Sequence, residues 1–282
     1  ENATGAVIAA RQSPYQYIRV IDAVPAHQGD TIRLLMTDDT PYRDRVHFSQ
    51  AFMDIRDPDR LQKYLRYGQL LEHFRPTFRR VLAIGGGGYA YPRYLLKKFP
   101  DVMVDVVEID PQITALAKQY FHLVDNPRLR IFHEDGRVFL NRAKETYDAV
   151  FIDAYTSSIP PFQLLTKEAA EEMSRLLSPD GVVLVYVISA AEGRQSLFLR
   201  TMVATYQSVF PQVYVFPTQD GDRSQVQNYM MIALKSRVRP SMQSGRPFFQ
   251  HILDHRVILE GVDDVRVLTD EYAPVEFMYP LR

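Results

Sequence analysis

The chain contains no cysteine and no tryptophan among its 282 residues. The absence of cysteine excludes a disulfide scaffold, a thiolate metal site and a cysteine nucleophile. Basic and acidic residues nearly cancel, 33 against 34, so no nucleic-acid partner is expected. The longest apolar stretch, Val182 to Ala191, is too short for the roughly 18 residues that span a bilayer. No His, Asp and Glu grouping has a convincing metal-ligand spacing, so no metal is predicted.

The chain begins at Glu1, with neither an initiator methionine nor a signal peptide. This start indicates a processed or excised chain and leaves open a membrane segment attached outside it. At about 150 residues per domain, the length predicts two domains or one with a large appendage. The patterning divides more finely, into an N-terminal β-strand domain over 1–57, a Rossmann-like catalytic domain over 58–238, and a C-terminal extension over 239–282 near its cleft.

Short alternating stretches in the first region, Tyr17–Ile21 and Thr31–Met36, predict a small β-meander. The central region alternates amphipathic segments, such as Pro111–Phe121 and Thr166–Leu177, with short apolar runs rich in β-branched residues. These runs predict strands of a parallel sheet covered on both faces, in a doubly wound α/β fold. They are Val81–Ile84, Val104–Ile109, Leu129–Phe132, Ala149–Ile152 and Val182–Val187.

The last two predicted strands, Val213–Phe216 and Tyr229–Leu234, are joined by a polar connector too short for a crossover helix. They are therefore expected to pair antiparallel. A mostly parallel sheet that ends in an antiparallel hairpin is typical of S-adenosylmethionine-dependent, methyltransferase-type enzymes rather than of nicotinamide dehydrogenases.

A glycine-rich turn follows the first predicted strand of the central region. Gly85, Gly87 and Ala90 fit the pattern G-x-G-x-x-A, with a strand before it and a helix after it. The next strand ends in Glu108-Ile-Asp110, and Glu108, which is 20 residues after Gly88, can accept both hydroxyls of a ribose. Together the turn and the acid predict a nucleoside site. The glycines alone would be weak evidence, because the alternative is a tight turn followed by an exposed acid without a ligand.

Two further acids follow predicted strands at the same edge of the sheet, where ligands of open α/β sheets lie. Asp135 follows the third strand, and it can cap a helix and also accept an adenine amino hydrogen. Asp153 follows the fourth strand and precedes a loop, so capping explains it less well. We interpret Asp153 as a candidate general base.

These residues resemble the motifs of the spermidine synthase superfamily, including the spermidine-synthase-like domains often fused to membrane segments. The resemblance covers nearly the whole chain. The matching segments are Ser13–Gln16 (S-x-Y-Q), Val81–Gly88 (V-L-x-I-G-G-G-D, with Gly88 in place of the final acid), Glu108–Asp110 (E-I-D), Asp135–Gly136 (D-G), Asp153 (the first acid of D-x-x-D) and Leu268–Glu276, which contains T-D-x-Y-A-P-V-E.

The resemblance implies an aminopropyl transfer from decarboxylated S-adenosylmethionine to the amine of putrescine, which releases methylthioadenosine. It implies that Glu108 holds the ribose, that Asp135 holds the adenine, and that Asp153 orients or deprotonates the attacking amine. The other implied donor-site residues are Gln16 and Gln50 on the sulfonium side, with Gly85, Gly87, Asp110 and Gly136. Tyr155 joins Asp153 as a catalytic candidate, and its ring, like those of Tyr89 and Tyr91, could enclose the sulfonium or simply pack. The resemblance also implies a homodimer, and the donor implies a cytosol-facing protein.

The sequence departs from the family pattern at several acids. Gly88 and Thr156 replace the acids that would hold the donor ammonium and the acceptor diamine, and the family's Tyr-His/Gln-Glu is here Ser49-Gln50-Ala51. Losing these carboxylates should weaken diamine binding and reduce repulsion of the carboxylate of intact S-adenosylmethionine. Arg93 could pair with that carboxylate, or it could be a solvated helix charge.

Two alternative functions therefore stay open. One is an enzyme that uses intact S-adenosylmethionine, for methyl or aminocarboxypropyl transfer or for cyclisation or elimination to methylthioadenosine. The other is a non-catalytic nucleoside-sensing domain of a membrane protein. The acidic end of the chain around Asp270 could supply acceptor contacts or form a solvated terminus.

Overall fold

The computed structural model describes residues 4–24, 31–38, 48–61, 63–155 and 160–278. The chain divides into two compact units. One comprises Glu1–Arg66, Ala83–Gly136 and Ala154–Ile159, and the other comprises Tyr67–Leu82, Arg137–Asp153 and Pro160–Arg282. The domain boundaries that we predict after residues 57 and 238 stay predictions.

The N-terminal region is an antiparallel four-stranded sheet, as the sequence predicts. Its strands are β1 (Thr4–Gln12), β2 (Tyr17–Val24), β3 (Ile32–Asp38) and β4 (Phe48–Asp54), in the order β1-β2-β3-β4. The alternation of apolar residues along the strands buries one set of side chains because successive residues point to opposite faces. Ile18, Val20, Leu35 and Met53 belong to this buried set.

The second sheet has seven strands in the order β10-β11-β9-β8-β5-β6-β7. The pairs β6–β7 and β8–β9 are parallel, whereas β11 pairs antiparallel with both β9 and β10. This arrangement confirms the predicted Rossmann-like sheet with its antiparallel hairpin. The strands are β5 (Arg80–Ile84), β6 (Met103–Val107), β7 (Leu129–Phe132), β8 (Tyr147–Ile152), β9 (Leu177–Ser189), β10 (Gln212–Pro217) and β11 (Gln227–Leu234).

Helices precede, connect and follow the strands of the second sheet. They are α1 (Leu71–Phe74), α2 (Ala90–Lys98), α3 (Pro111–Tyr120), α4 (Gly136–Arg142), α5 (Lys167–Leu176), α6 (Leu197–Gln207), α7 (Pro247–Asp254) and α8 (Val275–Met278), with 3₁₀ turns at Lys63–Leu70, Phe162–Leu164 and Arg194–Ser196. Side-chain caps define where two of them begin: Asp110 accepts from the amide of Gln112, and Thr166 accepts from the amide of Ala169. None of the described helices is both long enough and apolar enough to cross a membrane.

One strand boundary differs from the sequence prediction in a way that matters for the site. The apolar run predicts a strand through Ile109, but β6 ends at Val107. The chain must turn at this point because Asp110 is already the N-cap of α3. Glu108 therefore lies just beyond the strand, where both of its carboxylate oxygens reach backbone amides.

Candidate functional site

The turn between β5 and α2 depends on positive backbone angles at two glycines. Gly85 has φ of 95° and Gly87 has φ of 48°, a region that residues with a Cβ atom rarely adopt. Tyr89, the residue before α2, is also left-handed at φ 55°. Its amide donates to the carbonyl of Gly86 at 2.8 Å and closes the turn. The predicted turn is therefore present, and its shape requires the glycines that the motif specifies.

Tyr89 anchors this turn rather than presenting its ring to a ligand. The side chain is fully buried, and its hydroxyl lies 2.7 Å from Oγ1 of Thr114 on α3. Nε2 of His133 lies 3.0 Å from the same Oγ1. Burial raises the pKa of Tyr89, with a weaker opposing effect of the bond to Thr114. The alternative that Tyr89 packs is thus the one that the structure supports, and Thr114 is a supporting residue that no sequence pattern indicated.

Glu108 is the central acid of the site. Its Oε2 accepts from the amide of Gly86 at 2.8 Å, and its Oε1 accepts from the amide of Asp110 at 2.9 Å. Burial raises the pKa of Glu108, although the backbone hydrogen bonds partly oppose this effect. Each carboxylate oxygen can accept more than one hydrogen bond. The carboxylate is therefore fixed in orientation and keeps acceptor capacity for the two hydroxyls of a ribose.

Asp110 and Gln16 meet beside Glu108. Asp110 is fully buried; its Oδ1 caps α3, and its Oδ2 lies 3.4 Å from Nε2 of Gln16. The amide oxygen of Gln16 is buried and has no hydrogen-bond partner within the described residues. Because a buried acceptor without a partner costs about 1–3 kcal/mol, Gln16 is a strong candidate for a ligand contact.

The Ser-x-Tyr-Gln segment positions Gln16 through a local turn. Oγ of Ser13 accepts from the amide of Gln16 at 3.0 Å and donates to the carbonyl of Gln16 at 3.1 Å. The serine thus satisfies both backbone groups of the glutamine three residues later. This geometry explains the spacing of the two residues in the motif.

The remaining candidates occupy the ends of strands, where the sequence places them. Asp135 lies between β7 and α4, and Gly136 is the first residue of α4. Asp153 directly follows β8, and Tyr155 lies two residues further along the chain. Asp135, Asp153 and Tyr155 are half-buried, and Gly136 is buried. The side chain of Gln50 and the whole of Thr156 lie outside the described residues. The roles that we assign to all these residues stay predictions.

Arg93 fits neither of the two alternatives raised by the sequence. Its guanidinium pairs with Asp59 at 2.5 Å and donates to the carbonyl oxygens of Phe121 at 2.8 Å and Pro58 at 3.1 Å. The side chain is only 11% exposed. It is therefore neither a solvated helix charge nor a cation held ready for a ligand, because its donors are committed to three protein acceptors.

The sheet, the glycine turn and the acid together define the class of this domain. A mostly parallel sheet with an antiparallel end hairpin, a glycine turn and a buried acid after the next strand make this a Rossmann-like domain with the sheet of S-adenosylmethionine-dependent enzymes. The sequence model of the spermine/spermidine synthase domain matches residues 67–238, more than half of the chain. The chain belongs to this family, which confirms the predicted superfamily and the assignment as a transferase of the polyamine aminopropyltransferase type.

Individual relatives agree with this assignment. The chain is 28% identical over 218 residues to a polyamine aminopropyltransferase of Vibrio vulnificus, covering 73% of this chain and 71% of the relative. Its fold matches the crystal structure of a probable spermidine synthase from Corynebacterium glutamicum with a TM-score of 0.68 and 19% identity, over 85% and 84% of the two chains. It also matches a spermidine synthase in complex with the transition-state analogue AdoDATO, with a TM-score of 0.59 and 21% identity, over 81% and 72%.

Proposed function

We propose that this chain transfers an aminopropyl-type group from decarboxylated S-adenosylmethionine to a small-molecule amine and releases methylthioadenosine. The observation that carries the proposal is the orientation of Glu108 by two backbone amides, beside Gln16 with its unpartnered amide oxygen. Glu108 and Gln16 lie side by side, which suits a donor whose ribose is next to its sulfonium group. Membership of the spermine/spermidine synthase domain family supports the same chemistry.

In this proposal the donor site comprises residues with distinct tasks. Glu108 accepts the ribose hydroxyls, and Asp135 accepts an adenine amino hydrogen. Gln16 and Gln50 lie on the sulfonium side. Gly85, Gly87 and Gly136 allow close approach of the ligand to the backbone, and Asp110 holds Gln16 and the start of α3 in place.

The transfer step needs little chemistry from the protein, since a sulfonium is already a good leaving group. The lone pair of a neutral amine attacks the propyl carbon bonded to sulfur, and the carbon–sulfur electron pair stays on sulfur to give the neutral thioether. The new ammonium then loses a proton, for which Asp153 is the proposed acceptor, with Tyr155 beside it in the chain. Holding the amine in line with the carbon–sulfur bond is the main task of the site.

Use of intact S-adenosylmethionine is the alternative that a specific observation favours. Residue 88 is a glycine and has no carboxylate. The family pattern has an acid at this position, which would hold the donor ammonium. The Cβ position there is crowded by Ala51 and Phe121. A donor that depends on this acid would lose its ion pair, whereas intact S-adenosylmethionine would lose a repulsion.

The test is to incubate the purified chain with intact or decarboxylated S-adenosylmethionine, with and without putrescine, and to identify products by mass spectrometry. Methylthioadenosine formed only with the decarboxylated donor and the diamine is the expected result. Methylthioadenosine or S-adenosylhomocysteine from the intact donor would overturn the choice of donor. Binding of methylthioadenosine without turnover of either donor would instead identify a sensing domain.

Asp153→Asn tests the proposed base separately from donor binding. We expect a loss of turnover of roughly 10²–10⁴-fold, the usual contribution of a general base, with unchanged binding of methylthioadenosine. Asp180→Asn is the matched control, because Asp180 is 65% exposed on β9. Turnover of Asp153→Asn equal to that of the control would remove the base from the mechanism.

The family resemblance extends the proposal to assembly and location. We propose a homodimer, and a cytosol-facing location because the donor is made in the cytosol. Sedimentation equilibrium of the purified chain tests the dimer. A single species of monomer mass across the concentration range would contradict it.

A further inference from the structure

The hairpin loop between β10 and β11 and the outer face of α7 bring together three metal-ligand side chains. Asp220 lies in the loop, and His251 and His255 lie one helical turn apart, at α7 and its C-cap. One ligand atom from each residue lies within 4.8 Å of the others. All three side chains are exposed, and none has a role in the proposed transfer.

The packing of α7 explains why the histidines face outward together. Phe249, Ile252 and Leu253 are buried, so the helix presents its opposite side to solvent. Residues four apart are neighbours on a helix surface. The two imidazole ring centroids are 4.3 Å apart, and paired histidines at this spacing are a frequent way to bind zinc from a helix.

The distances suit a divalent metal ion. Nε2 of His251 lies 3.3 Å from Oδ1 of Asp220, and two ligands of a tetrahedral zinc, at roughly 2.1 Å from the ion, are about 3.4 Å apart. These two atoms therefore need little movement to share one ion, and the ligand atom of His255 lies within 4.8 Å of both. The exposed position leaves room for water as the remaining ligand.

A second contact prepares His255 for this role. Its Nδ1 lies 2.7 Å from the backbone carbonyl oxygen of His251, so Nδ1 can donate its proton there. This bond selects the neutral tautomer whose Nε2 carries a free lone pair. A hydrogen bond from the other ring nitrogen to a carbonyl is the usual support of a metal-bound histidine.

We propose that Asp220, His251 and His255 form a site for a divalent transition metal ion that prefers imidazole and carboxylate ligands, with Zn²⁺ the first choice. The ion would join the β10–β11 hairpin to α7. These segments are already close, since Val215 of β10 forms a β-bridge with Val257, just after α7. The site would therefore stabilise the attachment of the C-terminal segment and take no part in catalysis.

The test is calorimetric titration of the full chain with zinc chloride, after chelator treatment, together with the thermal midpoint with and without zinc. We expect one zinc ion per chain and a raised midpoint. Asp220→Asn, His251→Gln and His255→Gln should each weaken binding by at least about tenfold and abolish the rise in midpoint. Because the three side chains are exposed, these variants should fold, which circular dichroism checks.

Two matched controls separate this site from other histidines and acids. Asp222→Asn changes an exposed acid of the same hairpin loop, which instead accepts from the amide of Ser224. His122→Asn removes an exposed histidine elsewhere in the chain. Both should bind zinc as the unchanged protein does. No zinc binding, or binding that survives a His251→Gln/His255→Gln double substitution, would overturn the proposal and would leave the proposed transfer unaffected.

Discussion

A Cβ atom added at Gly88 would lie 2.7 Å from the Cβ atom of Ala51, closer than two such atoms approach in proteins. The ring of Phe121 would be 3.1 Å away. The family pattern has acids at both position 88 and position 51, so the two small residues that replace them are also spatial neighbours. Both acids of the family pattern are thus absent from the same place in the fold. The side chains of Ala51 and Phe121 occupy the space next to Gly88.

Gly88→Ala should therefore lower the free energy of unfolding, by about 1–3 kcal/mol, because extra volume must be forced into a packed region. Urea denaturation monitored by circular dichroism measures the change. Gly245→Ala is the control, since a Cβ atom there meets nothing within 4 Å. Equal stability of the two variants would mean that the contact with Ala51 relaxes at little cost.

Glu108 should make stability depend on pH above the ordinary glutamate range. Burial raises its pKa in the folded protein, so over the interval between the ordinary glutamate range and the raised value only the unfolded chain is ionised. The free energy of unfolding contributed by this group therefore falls as the pH rises through that interval. Glu108→Gln should lack this component in urea denaturation carried out at a series of pH values.

Binding of methylthioadenosine should show the opposite trend, because only the ionised carboxylate accepts both ribose hydroxyls. Affinity should increase as the pH rises through the raised pKa of Glu108, and Glu108→Gln should bind weakly at every pH. Glu171→Gln, on the exposed face of α5, should reproduce both profiles of the unchanged chain. A pH profile shared by all three proteins would contradict the assignment.

Arg93→Met should cost about 1–3 kcal/mol of unfolding free energy, since it removes the donor to the carbonyl of Phe121 and one of the two cations that pair with Asp59. Lys97→Met is the matched control. Lys97 contacts the same Asp59 but is 67% exposed, so its loss should cost at most about 1 kcal/mol. Chemical denaturation of both variants gives the comparison, and equal losses would contradict the special position of Arg93.

Asp270→Asn should reduce stability modestly. Burial acts against ionisation of this group, but hydrogen bonds from Thr166 and Arg137 outweigh it and lower the pKa of Asp270. The pair with Arg137 is bidentate, at 3.0 and 2.7 Å. The carboxylate is 47% exposed, so after solvent screening we expect a loss of only about 0.5–1 kcal/mol.

The pH dependence of this contribution has a definite sign. A lowered pKa in the folded state stabilises the protein above the ordinary aspartate range, and the contribution is lost as the pH falls through the lowered value. Asp270→Asn should lack this pH-dependent component, whereas Glu271→Gln, which changes an exposed neighbour, should keep it. Because both oxygens of Asp270 are bonded within the chain, turnover of Asp270→Asn should stay unchanged, and a large fall in turnover would instead support an acceptor-binding role for the acidic tail.

The amino-acid sequence by itself determined the strands, the antiparallel hairpin, the glycine turn and the acid that follows the next strand. These features are local: β-branched runs mark buried strands, and glycine marks backbone angles that other residues avoid. Glu108 could be predicted because its separation from Gly88 depends only on the length of one strand–helix–strand unit. Strand ends were less predictable, because β6 stops where the cap of α3 requires the chain to turn.

Only the tertiary structure decided which side chains meet. Nothing in the sequence around Arg93 indicates Asp59 as its partner, and nothing around Gly88 indicates contact with Ala51. The grouping of Asp220 with His251 likewise joins a hairpin loop to a helix about thirty residues away in the chain. Such contacts depend on how helices and strands pack against one another. The sequence pattern shows which face of a helix or strand is buried, but it does not show which residues of other elements contact that face.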